Sequence, residues 1–188
     1  MTVRRTAAAL VVVPLFALAS CSGDPHKPPP YTPSPTPTAS TSPTPTGPVA
    51  PTLPAAAKKH TRAGAEAYVR YYVDVLNFAS LNGQPAALAR VTPEDCVGCQ
   101  NILKAVRRVH NSGSVVTGGV WTVKSFGRGY PRAGAEYSFL TRVAQSPQVV
   151  TDAKGNQEKY EGGEVSYTFE TAWSSGDYWR MTWLYYNG

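Results

Sequence analysis

The apolar residues of this chain change their period once, at Asn111-Ser112-Gly113. Ahead of that point they recur every three or four residues, and beyond it they alternate. A helix buries one stripe and a half-buried strand buries every second residue, so the switch dictates helices first and strands afterwards. Strands that follow one another without intervening helices pair antiparallel, which sets the expected fold class as α+β and excludes a parallel α/β sheet.

The helical part begins at Thr61, a good N-cap, and the first helix is predicted to run to about Leu81. Ala65, Tyr68, Val69, Tyr72, Val75, Leu76 and Ala79 form its apolar stripe, with Glu66, Arg70 and Asp74 four apart on the other face. Asn82-Gly83 ends it, and a short helix over Pro85 to Val91 follows. Thr92-Pro93-Glu94-Asp95 carries a cap, a first-position proline and acids for a first turn, so the next helix is predicted from Thr92 to about His110. Four strands are expected, near Val115 to Phe126, Glu136 to Ala144, Glu164 to Trp173 and Tyr178 to Tyr186. Gly118-Gly119 marks a bulge or sharp bend in the first. Trp179, Met181, Trp183 and Tyr185 are expected to share one face of the last strand.

What precedes Thr61 reads differently. Arg4 and Arg5 lead into an apolar run, Ala7 to Leu18, which is short for a membrane span and suits an export signal over residues 1–20. The run ends in Leu18-Ala19-Ser20-Cys21, which resembles a bacterial lipobox, and the resemblance implies lipidation of Cys21. Residues 21–60 then hold the anchor and a tether rich in Pro, Ser and Thr, such as YTPSPTPTASTSPTPTGP, with too little apolar surface to offset the entropy of ordering it. Extended, such a tether reaches on the order of 100 Å and lifts residues 61–188 off the membrane. Its composition suits an O-glycosylated stalk or a bare spacer equally. Loss of Arg4 and Arg5 lowers the formal net charge from +6 to +4. That charge favours attraction to anionic lipid or wall polymer and gives no case for nucleic acid.

The chemistry-bearing stretch is EDCVGCQNIL, with Cys96 and Cys99 separated by Val97-Gly98. Once Cys21 carries lipid, the other two cysteines are an even pair in an oxidising compartment, which favours a structural disulfide. A thiol-disulfide exchange centre also uses this spacing at a helix start. Against it stand Glu94 and Asp95, whose charge opposes a thiolate, and the absence of a preceding strand. Zinc wants four ligands, and the region offers two cysteines and His110. No metal and no cofactor is expected.

Asp74, Tyr71, Tyr72, Glu136 and Glu170 are the residues that an enzyme site would draw on, but no nucleophile elbow, phosphate loop or histidine pair accompanies them. Of the remaining histidines, His26 and His60 fall in the tether and at its end. The aromatic residues offer more: Tyr72, Trp121, Tyr167, Trp179 and Trp183 are the expected lining of a groove for an apolar or sugar ligand.

AEAYVRYYVDVLNFASLNG as the first helix and DYWRMTWLYY as the last strand resemble the nuclear-transport-factor-like, or SnoaL-like, fold. The lipobox, the Pro/Thr tether, AEAYVRYYVDVLNFA and CVGC together resemble an actinobacterial family of exported lipoproteins of unknown function. The resemblance implies a cone-shaped arrangement of N-terminal helices on a curved four-stranded antiparallel sheet, and it brings no catalytic residues to carry over. Such folds host isomerases, dehydratases and non-catalytic binders. The function expected is non-catalytic binding of a ligand or protein partner at the extracytoplasmic face of the cell membrane, with a homodimer through the sheet as a further expectation. The alternatives are an envelope redox protein and a cone-fold enzyme.

Overall fold

The computed structural model describes residues 47–188. The export signal, Cys21 and residues 21–46 of the expected tether lie outside the described residues. Among those described, a short 3₁₀ turn Ala55–Lys58 precedes three α-helices, α1 Arg62–Leu81, α2 Pro85–Ala89 and α3 Val97–Asn111. Seven strands follow: β1 Val115–Gly118, β2 Trp121–Arg128, β3 Tyr137–Gln145, β4 Gln148–Thr151, β5 Gln157–Tyr160, β6 Gly163–Ser174 and β7 Tyr178–Tyr186. The fold class is α+β. None of the described helices is long and apolar enough to cross a membrane.

The first helix forms where its sequence places it. The Thr61 hydroxyl accepts from the Gly64 amide at 3.1 Å, and the whole predicted stripe from Ala65 to Ala79 is buried. Its polar face is used differently from the spacing rule. Glu66 pairs with Arg62 at 3.1 Å, while Arg70 leaves the helix to donate to the Val123 carbonyl at 3.0 Å. The packed chain also starts ahead of Thr61: Leu53 packs against the core and Ala57 is buried in it, so this stretch is no part of a free tether. Its small apolar side chains fit between α1 and β7, which larger residues would have advertised more plainly.

The third helix starts one turn later than Thr92. The Thr92 hydroxyl donates to the Leu88 carbonyl at 2.8 Å and so closes α2, while the chain after it makes a separate turn before α3 begins. Pro93 to Asp95 form a turn, and the cap is Cys96, whose sulfur accepts from the Cys99 amide at 3.3 Å. Asp95 turns away to bind Arg180 of β7, with Nη1 to the two carboxylate oxygens at 2.7 and 3.0 Å.

The four expected strands build one sheet in the order β2-β3-β6-β7, antiparallel throughout. A second, three-stranded sheet, β1-β4-β5, adds to the four expected strands. Its origin is Gly118-Gly119, at φ 71° and 70°, a left-handed pair that only glycine adopts without strain and that splits the expected first strand in two. β1 then pairs with β4, and the β4–β5 hairpin escapes sequence reading because its strands have four residues each and β5 is wholly exposed.

The last strand carries a bulge at Thr182: Glu170 pairs with Trp183 but Thr171 pairs with Met181. The extra residue flips the alternation. Trp179 and Met181 face the core as expected, whereas beyond the bulge Leu184 is buried and Tyr185 is 54% exposed. The core lies between α1 and the inner face of this sheet, with Tyr72, Phe139, Phe169 and Trp179 its largest buried side chains. Each such ring contributes about 1.5–3 kcal/mol by leaving water.

Candidate functional site

α3 lies along the β7 edge, and its first turn comes so close that a Cβ on Gly98 would run into the Leu184 carbonyl. Above this contact the surfaces part and leave a cleft of about 510 Å³. That volume falls in the range of about 300–1,000 Å³ typical of small-molecule sites. One wall is Val97, Asn101 and Ile102 of α3; the other is Trp121, Tyr167 and the end of β7 from Trp183 to Tyr186.

Each ring is held by its own support. Trp121 sits where β2 begins, its backbone clasped by the Asn77 amide of α1. Its indole stacks on Tyr167 with ring centres 4.6 Å apart and 28° between planes, and the Tyr186 ring is tilted against Tyr167 with centres 5.5 Å apart. The Gln145 amide donates to the Tyr167 hydroxyl at 3.2 Å. Burial pushes that hydroxyl above its ordinary value; the Gln145 bond opposes the shift and Tyr186 adds to it, so Tyr167 stays neutral at physiological pH. Arg132 covers the Trp183 ring with its guanidinium carbon 4.2 Å from the centre.

Of the five residues expected to line a groove, Trp121 and Tyr167 bring their rings together in this cleft, and Trp183 borders it from β7 with its ring on the opposite face of the sheet, beside Glu170 and under Arg132. Tyr72 and Trp179 do not. Tyr72 is fully buried, its hydroxyl pushed up to about 12 by burial with Thr92 acting the other way. Trp179 is a core residue whose Nε1 donates to the Lys59 carbonyl at 2.9 Å, tying the N-terminal segment to β7. A helix stripe and a strand face label residues as inward, but not as core or cavity; depth decides that, and depth is a tertiary property.

Among the described residues no charged side chain lines the cleft, and the ionisable groups that border it are the phenols of Tyr167, Tyr185 and Tyr186. Cys96 and Cys99 are joined as a disulfide with Cα atoms 5.2 Å apart, a normal separation, and both are fully buried under α3's first turn. Among the described residues no three His, Cys, Asp or Glu side chains gather as a metal would need. Asp74 lies in a separate hollow beside Arg70; partial burial raises its carboxyl and Arg70 opposes that. Glu170, another of the candidate acids, is only 2% exposed in the middle of the sheet, between Ser138 and Trp183 and on the face opposite Phe169. His110 donates to the Ser80 carbonyl at 2.7 Å and joins two helix ends.

One pairing had no sequence signal. His60 lies flat on Trp173, 4.7 Å between centres and 5° between planes, and its Nε2 donates to both Glu136 oxygens at 2.9 Å. The partners are 76 residues apart in sequence, so nothing local announces them. The pair is on the surface and outside the cleft.

A family model described as "Family of unknown function (DUF6318)" matches residues 36–185. Comparison with curated proteins gave no match. Among solved structures, the chain is similar to the intermembrane space region of the chloroplast protein ARC6, at 16% identity and a TM-score of 0.47, covering 68% of this chain and 97% of that one. It is similar also to a structure from Catenulispora acidiphila, at 10% identity and a TM-score of 0.45, covering 67% and 92%. A periplasmic fragment of TraM matches at 9% identity and a TM-score of 0.42, covering 69% and 99%.

Proposed function

The chain belongs to DUF6318, a family of unknown function, and from that premise we propose that it is a lipid-anchored envelope protein whose aromatic cleft binds a neutral ligand without transforming it. The observation that carries this reading is the lining: stacked Trp121 and Tyr167, exposed Tyr186 and the Asn101 amide, with no charged side chain among them. An aromatic face is electron-rich and attracts the weakly positive C–H face of a flat apolar group, such as one side of a pyranose ring. Asn101 adds a directional donor and acceptor for hydroxyl or amide groups. Arg4 and Arg5, the apolar run and Leu18-Ala19-Ser20-Cys21 support the anchor, and with it a position on the extracytoplasmic face of the cell membrane.

Binding without turnover fits the buried state of the Cys96–Cys99 pair, since exchange needs an accessible sulfur. The test is titration of the full chain with N-acetylglucosamine oligomers, read by tryptophan fluorescence. Saturable quenching that Tyr186→Ala weakens at least tenfold supports the reading; a flat titration, or equal affinity in the variant, removes it.

A further inference from the structure

A second cleft, of about 400 Å³, opens at the other end of β7, where Tyr178, Trp179 and Arg180 begin the strand. Tyr68 and Tyr71 of α1 form one wall, and the segment after α2 brings Arg90 to the rim. Its charge differs in kind from that of the aromatic cleft: among the described residues, the ionic side chains lining it are two guanidiniums.

These two arginines stand in different states. Arg180 is oriented by Asp95, which engages Nη1 alone, at 2.7 and 3.0 Å. Its Nη2 and Nε have no protein acceptor among the described residues, so a positioned fork keeps donors to spare. Arg90 is exposed and has no carboxylate within ion-pair distance among the described residues. Around them are phenol rings that give flat apolar walls and hydroxyl donors. The Tyr68 hydroxyl is held protonated far above its ordinary value by burial, then by neighbouring Tyr72 and Tyr71, with the Met181 amide opposing. A ligand head placed here therefore meets donors and positive charge, while its body meets aromatic surface.

We propose that this cleft binds a small molecule with an apolar body and one anionic head, carboxylate or phosphate, the head on Arg90 with Arg180 beside it. A guanidinium pairs with either anion through two parallel N–H bonds, so both heads fit the same donors. The proposal does not depend on the aromatic cleft, since the two share no lining residue.

The experiment is calorimetric titration of the full chain with decanoate, decyl phosphate and decanamide, each below its aggregation concentration. At least one anionic probe is expected to bind, decanamide about tenfold or more weakly, and Arg90→Ala to weaken the anionic probe about tenfold, as loss of one charge-assisted contact implies. Preference for decanoate assigns the head as carboxylate, and preference for decyl phosphate as phosphate. Arg90 is on the surface, so its variant is expected to keep the wild-type circular dichroism; Asn101→Ala, in the other cleft, is expected to leave the affinity unchanged. Equal binding of decanamide, unchanged affinity in Arg90→Ala, or no binding of any probe overturns the proposal.

Discussion

Asn77 clasps the backbone of Trp121: its Nδ2 donates to the Trp121 carbonyl at 2.8 Å, and its Oδ1 accepts from the Trp121 amide at 2.9 Å. The pair mimics one rung of a β-ladder with a side chain in place of a strand. β2 is an edge of the four-stranded sheet, and a bare edge invites pairing with another chain. Here α1 supplies the missing partner, and Arg70 extends the cover two residues along by donating to the Val123 carbonyl. The same clasp fixes where the Trp121 ring enters the cleft.

Asn77→Ala leaves an amide and a carbonyl of Trp121 without partners at a half-buried position. The expected loss is about 1–3 kcal/mol in urea unfolding, because an unmet backbone group costs more than a made bond returns. Asn77→Asp keeps the acceptor and loses the donor, and is expected to fall between the two. An Asn77→Ala variant as stable as wild type would mean that water replaces the clasp at no cost.

The Cys96–Cys99 bond closes a loop so short that it removes little freedom from the unfolded chain, about 2 kcal/mol in the chain-entropy account. Both sulfurs are fully buried, so thiol labelling of native protein in the presence of a mild reductant is expected to stay near zero, rising only when urea is added. The double variant Cys96→Ser, Cys99→Ala is expected to fold with a loss of about 1–2 kcal/mol, since Ser restores a helix cap at the position of the sulfur acceptor. Rapid labelling of native protein would reinstate an exchange role.

What the sequence made legible was whatever a local rule controls. Thr61 as a cap and the stripe from Ala65 to Ala79 are set by spacing within one helix, and they stand as read. Thr92 met every local rule for a cap, yet its hydroxyl closes α2 on the Leu88 carbonyl and a turn over Pro93 to Cys96 moves the cap to Cys96. The alternation of β7 held as far as Met181 and was inverted by one extra residue, Thr182, which no pattern of apolar residues reveals. The contacts that build the clefts and pin the N-terminal segment join residues far apart: Asn77 with Trp121, Arg180 with Asp95, His60 with Glu136. Each needs the fold before it can be seen.

The β4–β5 hairpin turns on Asp152, whose carboxylate accepts from the Lys154 amide, the Asn156 amide and the Asn156 side chain, each at 2.8 Å. The Asn156 side chain, with its backbone amide next, holds the carboxyl below its ordinary value of 3.8. A pKa lower in the folded than in the unfolded state stabilises the turn above the unfolded value, and that contribution is lost as pH falls through the folded one. The Lys154 and Asn156 amides are therefore expected to lose protection from hydrogen exchange below pH 3.8, once temperature and intrinsic rate are allowed for. In Asp152→Ala protection is expected to be low at every pH; a pH-independent wild type would show that the backbone alone holds the turn.

Gly98 supplies a test in which two rules disagree in sign. In an ordinary helix, Gly→Ala is favourable by about 1 kcal/mol, because alanine loses less freedom on folding. Position 98 is not ordinary, for an added Cβ would overlap the Leu184 carbonyl, and backbone on both sides leaves no flexible side chain to give way. α3 would have to move off the β7 edge, taking Val97 and Asn101 with it and widening the cleft. Overpacking of this kind costs about 1–3 kcal/mol, so Gly98→Ala is expected to destabilise the protein despite the better helix former. The control is Ala105→Gly, an exposed site in the same helix, where the ordinary rule holds and the loss is expected to be about 1 kcal/mol. Glycine favoured over alanine at one position and alanine over glycine two turns later is the signature of a close approach. Urea midpoints of the two variants measure it directly, and a stabilised Gly98→Ala would mean that α3 slides freely on β7. The stretch from Cys96 to Cys99 thus divides its work, since the disulfide holds the first turn together while Gly98 lets that turn reach the sheet.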